Sequence, residues 1–338
     1  MQLRGLASIL FVSLLAGACV SSGPVGDAVR GPLPTRIQHP LALNEFAFRP
    51  RRPVAQEPGT TGVALQASYT SQFTFSNDEK SSFTFDGEIA HAALRLRQGL
   101  GAGLDLEAEL RGTYSGGGFL DSFVRAFHDL FGLPDAGRSE VVDNDHHMVI
   151  VSENNLVWFQ EPDLTGVGDL PVVLTWSGGA TGTAATDDWR YGVRAGVELP
   201  TGSEEDGLSN GGVDWGAGVM AEHSRGRWSH HLGAWAARIA QPTGFETAGL
   251  RLDDAWQLEY ALELRAHPSI SWLAQLQLRA PLVREIDLPA ISDPILDLAL
   301  GVVGDAGGRW RWFASFHEDL LSRAGPDFGF AAGLFWNL

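Results

Sequence analysis

Residues 256–280 read WQLEYALELRAHPSISWLAQLQLRA, and this stretch decides the fold. Side chains of a β-strand point alternately to two faces. Folded about Pro268, Leu264 stands opposite Trp272, Leu262 opposite Ala274, Tyr260 opposite Leu276, and Leu258 opposite Leu278. The other face then collects Gln257, Glu259, Glu263, Arg265, Gln275, Gln277 and Arg279. One register sorts both faces, which is how pairing is specified. Each arm is at least about 10 residues long. That exceeds the average strand of ~5–6 residues and meets the ~9–11 that a tilted membrane-spanning strand needs.

A second hairpin repeats the pattern. In AALRLRQGLGAGLDLEAELRG, residues 92–112, a turn centred on Gly101 sets Leu96 against Leu106, Leu94 against Ala108 and Ala92 against Leu110. Its other face pairs Arg95 with Glu107 and Arg97 with Asp105, which the pattern predicts as charge pairs in a lumen. Balanced pairs tie a wall together and leave little field for an ion. Similar strands recur near 62–75, 83–97, 169–177, 188–199, 212–222, 227–239, 294–303, 309–317 and 327–338. The last places Phe328, Phe330, Ala332, Leu334, Trp336 and Leu338 on one face, as a closing strand.

This is the signature of an all-β protein, an antiparallel transmembrane β-barrel over residues 60–338. A soluble barrel has the same period, but a dozen strands make it too wide for side chains to fill. A β-sandwich accounts neither for the export signal described next nor for charges at the heart of long strands.

The first residues, MQLRGLASILFVSLLAGAC, carry Arg4, an apolar run from Leu6 to Leu15, and small residues before Cys19. That is a secretory signal over residues 1–18. LAGAC resembles the lipobox of bacterial lipoproteins, although Leu15 lies one place further from the cysteine than is commonest. Ala16, Gly17 and Ala18 also suit an ordinary signal peptidase. Cys19 is the sole cysteine, and an exported chain rarely keeps an unpaired thiol, so acylation of Cys19 is expected. Val20 after it implies sorting to the outer membrane in proteins resembling lipoproteins. Residues 19–59, rich in Pro, Gly and Arg, read as a lipidated periplasmic lead-in.

With both termini periplasmic, the strand number is even. Short turns near Gly101, 223–226, 267–269 and 304–308 then lie inside the cell envelope. Long loops near 115–145, 200–211, 240–252, 282–293 and 318–326 lie outside. The stretch 146–160 leaves two counts open. As a pair of short strands about Asn154 it gives 14; as part of a long loop it gives 12.

Within the 115–145 insertion, Phe119, Phe123, Phe127, Leu130 and Phe131 recur at spacings near 3.6, so FLDSFVRAFHDLF predicts an amphipathic helix. Gly132 and Pro134 end it. Such a helix enters the barrel mouth as a lid or plug, caps the rim, or lies on the membrane interface. Arg125 is its only cation, which favours the mouth.

GPLPTRIQHPLAL (31–43), FHDLFGLPDAGR (127–138), GVGDLPVVLTW (166–176), ELPTGS (198–203) and FHEDLLSRAGPDFGF (316–330) resemble an uncharacterised family of Gram-negative outer-membrane proteins, a domain of unknown function. GVGD followed by a strand and PTG is similar, more loosely, to barrels of hydrophobic-compound uptake and phenol degradation. That likeness implies transport, on analogy alone.

The formal net charge of −17 argues against a nucleic-acid partner, whose phosphates need a basic face. His317-Glu318-Asp319, with Ser315 and Ser322 nearby, offers a base and an orienting carboxylate, but also reads as a polar loop entrance. DNDHH (143–147) lacks regular ligand spacing. His230 and His231 are neighbours on a strand and face opposite ways. His128-Asp129 lies on the helix's polar side. No catalytic, cofactor or metal site is expected, and no enzyme. The expected partners are membrane lipid, the outer-membrane assembly machinery through the C-terminal strand, and a small-molecule ligand. The expected role is passage or binding of small, hydrophobic molecules in the outer membrane. A non-conducting structural or assembly-partner barrel is the alternative, and a lipid-acting enzyme stands third.

Overall fold

The structure, a computed structural model, describes residues 28–132, 137–153, 155–179, 186–283, 288–307, 309–321 and 324–337. Residues 1–18, Cys19 and Leu338 lie outside the described residues. Among the described residues fifteen strands form: β1 (Thr61–Asn77), β2 (Ser81–Gly101), β3 (Leu104–Gly116), β4 (His147–Ser152), β5 (Asn155–Gln160), β6 (Leu164–Val167), β7 (Leu170–Gly179) and β8 (Trp189–Leu199). They continue as β9 (Asp214–Arg225), β10 (Trp228–Arg238), β11 (Ala255–His267), β12 (Ile270–Arg279), β13 (Ile295–Asp305), β14 (Trp310–Asp319) and β15 (Phe328–Asn337). The helices are α1 (Pro40–Leu43), α2 (Asp121–Phe131), α3 (Thr243–Thr247) and α4 (Pro289–Ser292). No described helix is long and apolar enough to cross a membrane.

All pairings are antiparallel. The ring runs β1–β2–β3, then β7 through β15 in order, and β15 returns to β1 over ten residue pairs. With β4, β5 and β6 outside it, the closed barrel has twelve strands. The 146–160 stretch does form two short strands, yet they add nothing to the ring. β2 is 21 residues long, and β4 pairs only with its far end, Ser81–Asp86. Six residues per strand fall short of the ~9–11 that span a membrane. The hairpin therefore extends the wall above the ring.

The β11–β12 register is the one expected, with Tyr260 opposite Leu276 and Leu264 opposite Trp272. The β2–β3 register differs by two residues, because a bulge between Gly99 and Gly101 sets Leu94 opposite Leu110 and Arg97 opposite Glu107. A shift of two keeps every side chain on its face. Leu94, Leu106, Tyr260 and Leu276 are 40%, 40%, 37% and 36% exposed on the outer wall. Arg95, Asp105, Glu263, Gln275 and Arg279 are buried inside.

Tryptophans mark two levels of that wall. Trp176, Trp189, Trp228, Trp272, Trp310 and Trp336 are exposed near the short-turn end, and Trp215 and Trp256 near the long-loop end. Trp215 lies ten residues along β9 from Arg225, the partner of Trp228. At ~3.3 Å per residue and a ~40° tilt, the two levels are ~25 Å apart, the height of a lipid-facing apolar band.

The segment expected as a lead-in is the main surprise. From residue 28 it lies inside the barrel. Arg30 bonds Ser271 Oγ (3.2 Å) and Asp305 (2.8 Å) at the short-turn end. The chain then rises to α1, where Asn44 donates to the Gly207 carbonyl (2.7 Å) in the long-loop half. It returns past Arg52 to Gly59, which bonds the Gly99 carbonyl (3.0 Å) beside the short turn before β1. Residues 28–53 are almost wholly buried.

Candidate functional site

A polar lumen of a dozen strands is wider than its own side chains can fill, and residues 28–53 fill much of it. The segment is seated differently along its length. In the long-loop half, Ile37, Leu41, Phe46 and Phe48 pack with Phe83, Phe85, Ile150, Trp158, Trp235 and Ile291 in one buried apolar cluster. The wall makes room for this. A Cβ at Gly196 or Gly216, on neighbouring strands, would stand 2.7 or 3.0 Å from the Phe46 ring. Phe46 N also donates to Asp214 (2.9 Å).

In the short-turn half the contacts are ionic. Arg52 makes two 2.6 Å bonds to Glu222, which also holds Arg190 at 2.7 Å. Arg51 makes a two-pronged bond to Asp105 (2.8 and 3.0 Å), and Arg49 does the same to Glu109. Glu263 accepts from the backbone amides of Arg30 and Gly31 at 2.9 Å and bonds the His231 ring (3.0 Å). Higher up, Glu45 of the segment pairs with Arg279 of β12. Each of these buried carboxylates meets an arginine or a histidine, as burial requires.

The sequence-derived charge pairs meet this segment. Arg97 lies 2.6 Å from Asp105 and Arg95 3.8 Å from Glu107. Their side chains reach diagonally, since the bulge moves their backbone partners. Sequence reasoning missed Arg30, Arg49, Arg51 and Arg52. Their signal was present as cations concentrated in a lead-in without periodicity, facing a strand set rich in inward acids.

Beside Arg95 the packing is incomplete. A cavity of about 310 Å³ opens near the short-turn end between the segment and strands β1, β2, β14 and β15. Arg51, Arg95, Arg97 and Arg311 line it together with Pro34 and Phe335.

The amphipathic helix is α2, and it stands elsewhere than expected. Phe127 packs on Phe316 and Phe328 (ring centroids 5.6 and 5.2 Å), and Phe123 on Phe328 (5.1 Å). Phe119, just before α2, stacks on Tyr69 (5.3 Å). Phe316, Phe328 and Tyr69 are on the outward face of β14, β15 and β1. Glu88, also outward, caps the helix by accepting from the Phe119 amide (2.9 Å) and the Leu120 amide. The helix therefore lies on the outside of the wall and is no lid or plug. Leu130 of the helix and Phe119 before it are still 76% and 68% exposed, so the sole cation Arg125 was a poor guide. That cation is spent on Asp143 (2.6 Å).

Below the helix, Ala314, Ala332, Ala67, Ala92 and Gly112 stand at one level on five neighbouring strands. They line a shallow outer-wall groove of about 630 Å³.

One hydrogen-bonded chain has the order of a nucleophile, a base and an orienting acid. Ser315 Oγ is 3.0 Å from His317 Nε2, and His317 Nδ1 is 3.1 Å from Asp297. The carboxylate comes from β13, across the strand, and not from the adjacent Glu318 or Asp319. His230 and His231 face opposite sides, one bonding Tyr260 (3.0 Å) outside and the other Glu263 inside. His146 of the DNDHH run bonds Ser115 (2.9 Å).

Comparison with known proteins adds family and fold. A family model described as a protein of unknown function (DUF3187) matches residues 9–337. No curated protein matches. Among solved structures, the chain is similar to the COG4313 outer membrane channel from Pseudomonas putida F1, with 13% identity and a TM-score of 0.54 over 86% of this chain and 100% of that one. It is also similar to the NanC porin (7%, 0.45, over 82% and 100%) and the KdgM porin (7%, 0.42, over 81% and 98%). The first likeness is one of fold; the other two carry no argument. The fold is that of an outer-membrane β-barrel.

Proposed function

This chain belongs to the DUF3187 family, and we propose that it is an outer-membrane barrel that binds or passes small molecules and that its own N-terminal segment keeps closed. The burial of residues 28–53 in the lumen carries the reading. Passage requires that segment to yield, and the ionic half, with a cavity already beside it, is where it would yield first. A channel fold supports passage. Partly apolar cavity walls suit molecules with hydrophobic parts.

We place the short turns in the periplasm, with both termini, by the rule that periplasmic turns are short and outer loops long. An acyl chain on Cys19 fits this geometry. The nine residues from Cys19 to residue 28 reach at most ~30 Å, enough to pass from the lumen around the rim to the inner leaflet. On the opposite side, α2 would rest at the outer-leaflet interface.

Planar-bilayer conductance tests the reading. The full chain should be silent or open briefly, and a variant lacking residues 28–58 should conduct steadily. A deletion variant that folds as a barrel, stays silent and admits no small solute into liposomes would leave the non-conducting structural barrel in its place.

A lipid-acting enzyme is the second reading, favoured by the Ser315–His317–Asp297 chain alone. It stands behind the first because Ser315 and His317 are only 7% and 5% exposed. Fatty-acid release from phospholipid by the purified barrel, lost in Ser315→Ala, would promote it.

A further inference from the structure

Among the described residues, Arg95 is the least hydrogen-bonded of the buried cations that line the cavity. It is 7% exposed, and its nearest carboxylate, Glu107, is 3.8 Å away. Among the described residues it donates no hydrogen bond, and the Phe335 ring lies 5.9 Å from its guanidinium carbon. Its nitrogens are not among the sealed, partnerless atoms, whereas Nε of Arg51 and Nε of Arg97 are. What little of Arg95 is open therefore faces the 310 Å³ cavity that it lines. A buried cation without a hydrogen-bond acceptor is costly, whereas Arg30, Arg51, Arg52, Arg97 and Arg311 around it each hydrogen-bond a carboxylate.

We propose that this cavity is a binding site for a small organic carboxylate with an apolar body, its carboxylate held by Arg95. A guanidinium presents a planar fork that matches a carboxylate with two parallel bonds. Among the described residues, seven arginines line the cavity against two carboxylates, Glu107 and Asp305, so its wall carries an excess of positive charge. Pro34, Val303, Phe313 and Phe335 give the remaining wall an apolar surface, which a bare inorganic anion would leave unused. The volume is at the small end of the ~300–1,000 Å³ of ligand pockets, so one ring or a short aliphatic chain fits.

This deepens the reading of a small-molecule barrel and rests on it, but it is tested separately, by equilibrium binding to the closed full-length chain in detergent. Benzoate, its neutral isostere benzamide and inorganic phosphate are titrated calorimetrically. Benzoate should bind once per barrel, with benzamide and phosphate each at least tenfold weaker. Arg95→Gln should lose at least tenfold in benzoate affinity, and Arg95→Lys should keep more of it than the glutamine variant. Circular dichroism confirms that each barrel is folded. Equal binding of benzamide, equal binding of phosphate, no saturable benzoate binding, or an unchanged Arg95→Gln variant would each overturn the proposal. Benzoate binding without conductance in the plug-deleted barrel would keep the site and remove passage. Conductance without benzoate binding would do the reverse.

Discussion

The two halves of the lumen are filled by one segment in opposite ways. In the long-loop half, Phe46 and Phe48 sit in an apolar cluster like the core of a soluble domain. In the short-turn half, Arg49, Arg51 and Arg52 meet Glu109, Asp105 and Glu222. Apolar packing is non-directional and is lost as a whole when the segment withdraws. Buried ion pairs gain little over water and mostly enforce where the segment sits. The long-loop half therefore supplies the strength of the seal and the short-turn half its registry.

That division can be broken experimentally. The largest effect is expected from Phe46→Ala. Truncating a fully buried phenylalanine costs ~3–5 kcal/mol, and Gly196 and Gly216 leave nothing at the site to refill the space. Hydrogen exchange over residues 39–48 of the folded barrel should accelerate strongly, with bilayer openings more frequent. If exchange is unchanged, the apolar half does not hold the seal.

Arg52→Ala should do less. Glu222 keeps Arg190 at 2.7 Å, so the loss is that of hydrogen bonds to a charged group, ~1.5–3 kcal/mol. Exchange should rise over residues 49–56 and stay protected over 39–48. Uniform acceleration of both stretches would show the two halves to be one cooperative unit.

The smallest effect is expected outside the lumen. Phe127→Ala removes ring contacts worth ~0.5–1.5 kcal/mol each and should loosen α2, read as faster protease cleavage of the 117–146 insertion. Conductance should not change, because the helix is on the outer wall. A conductance change would return the helix to a gating role.

Much of the barrel was legible in the chain. Tyr260, Leu276 and their neighbours alternate so regularly that register and facing followed from pairing one hairpin. The Arg95 hairpin was legible in its faces and not in its register, because a bulge at Gly99 costs no side-chain pattern. The strand count stayed open at 146–160 because two strands that add to a wall and two that enter a ring have the same local signature. Residues 28–59 carry no period, so local propensity was silent. Only the acids waiting inside the barrel reveal what their arginines and Phe46 are for.

Taken alone, the amino-acid order determined period, face and sign: greasy outward, charged inward, a helix where spacing changed from two to 3.6. These depend on neighbours within a strand or a hairpin, which chain connectivity supplies. Tertiary structure alone decided the twelve-stranded closure, the seat of α2 outside the wall and the self-filled lumen with Arg95 left over. Each of those depends on partners scores of residues apart, and a closed wall must exist before anything can be inside it.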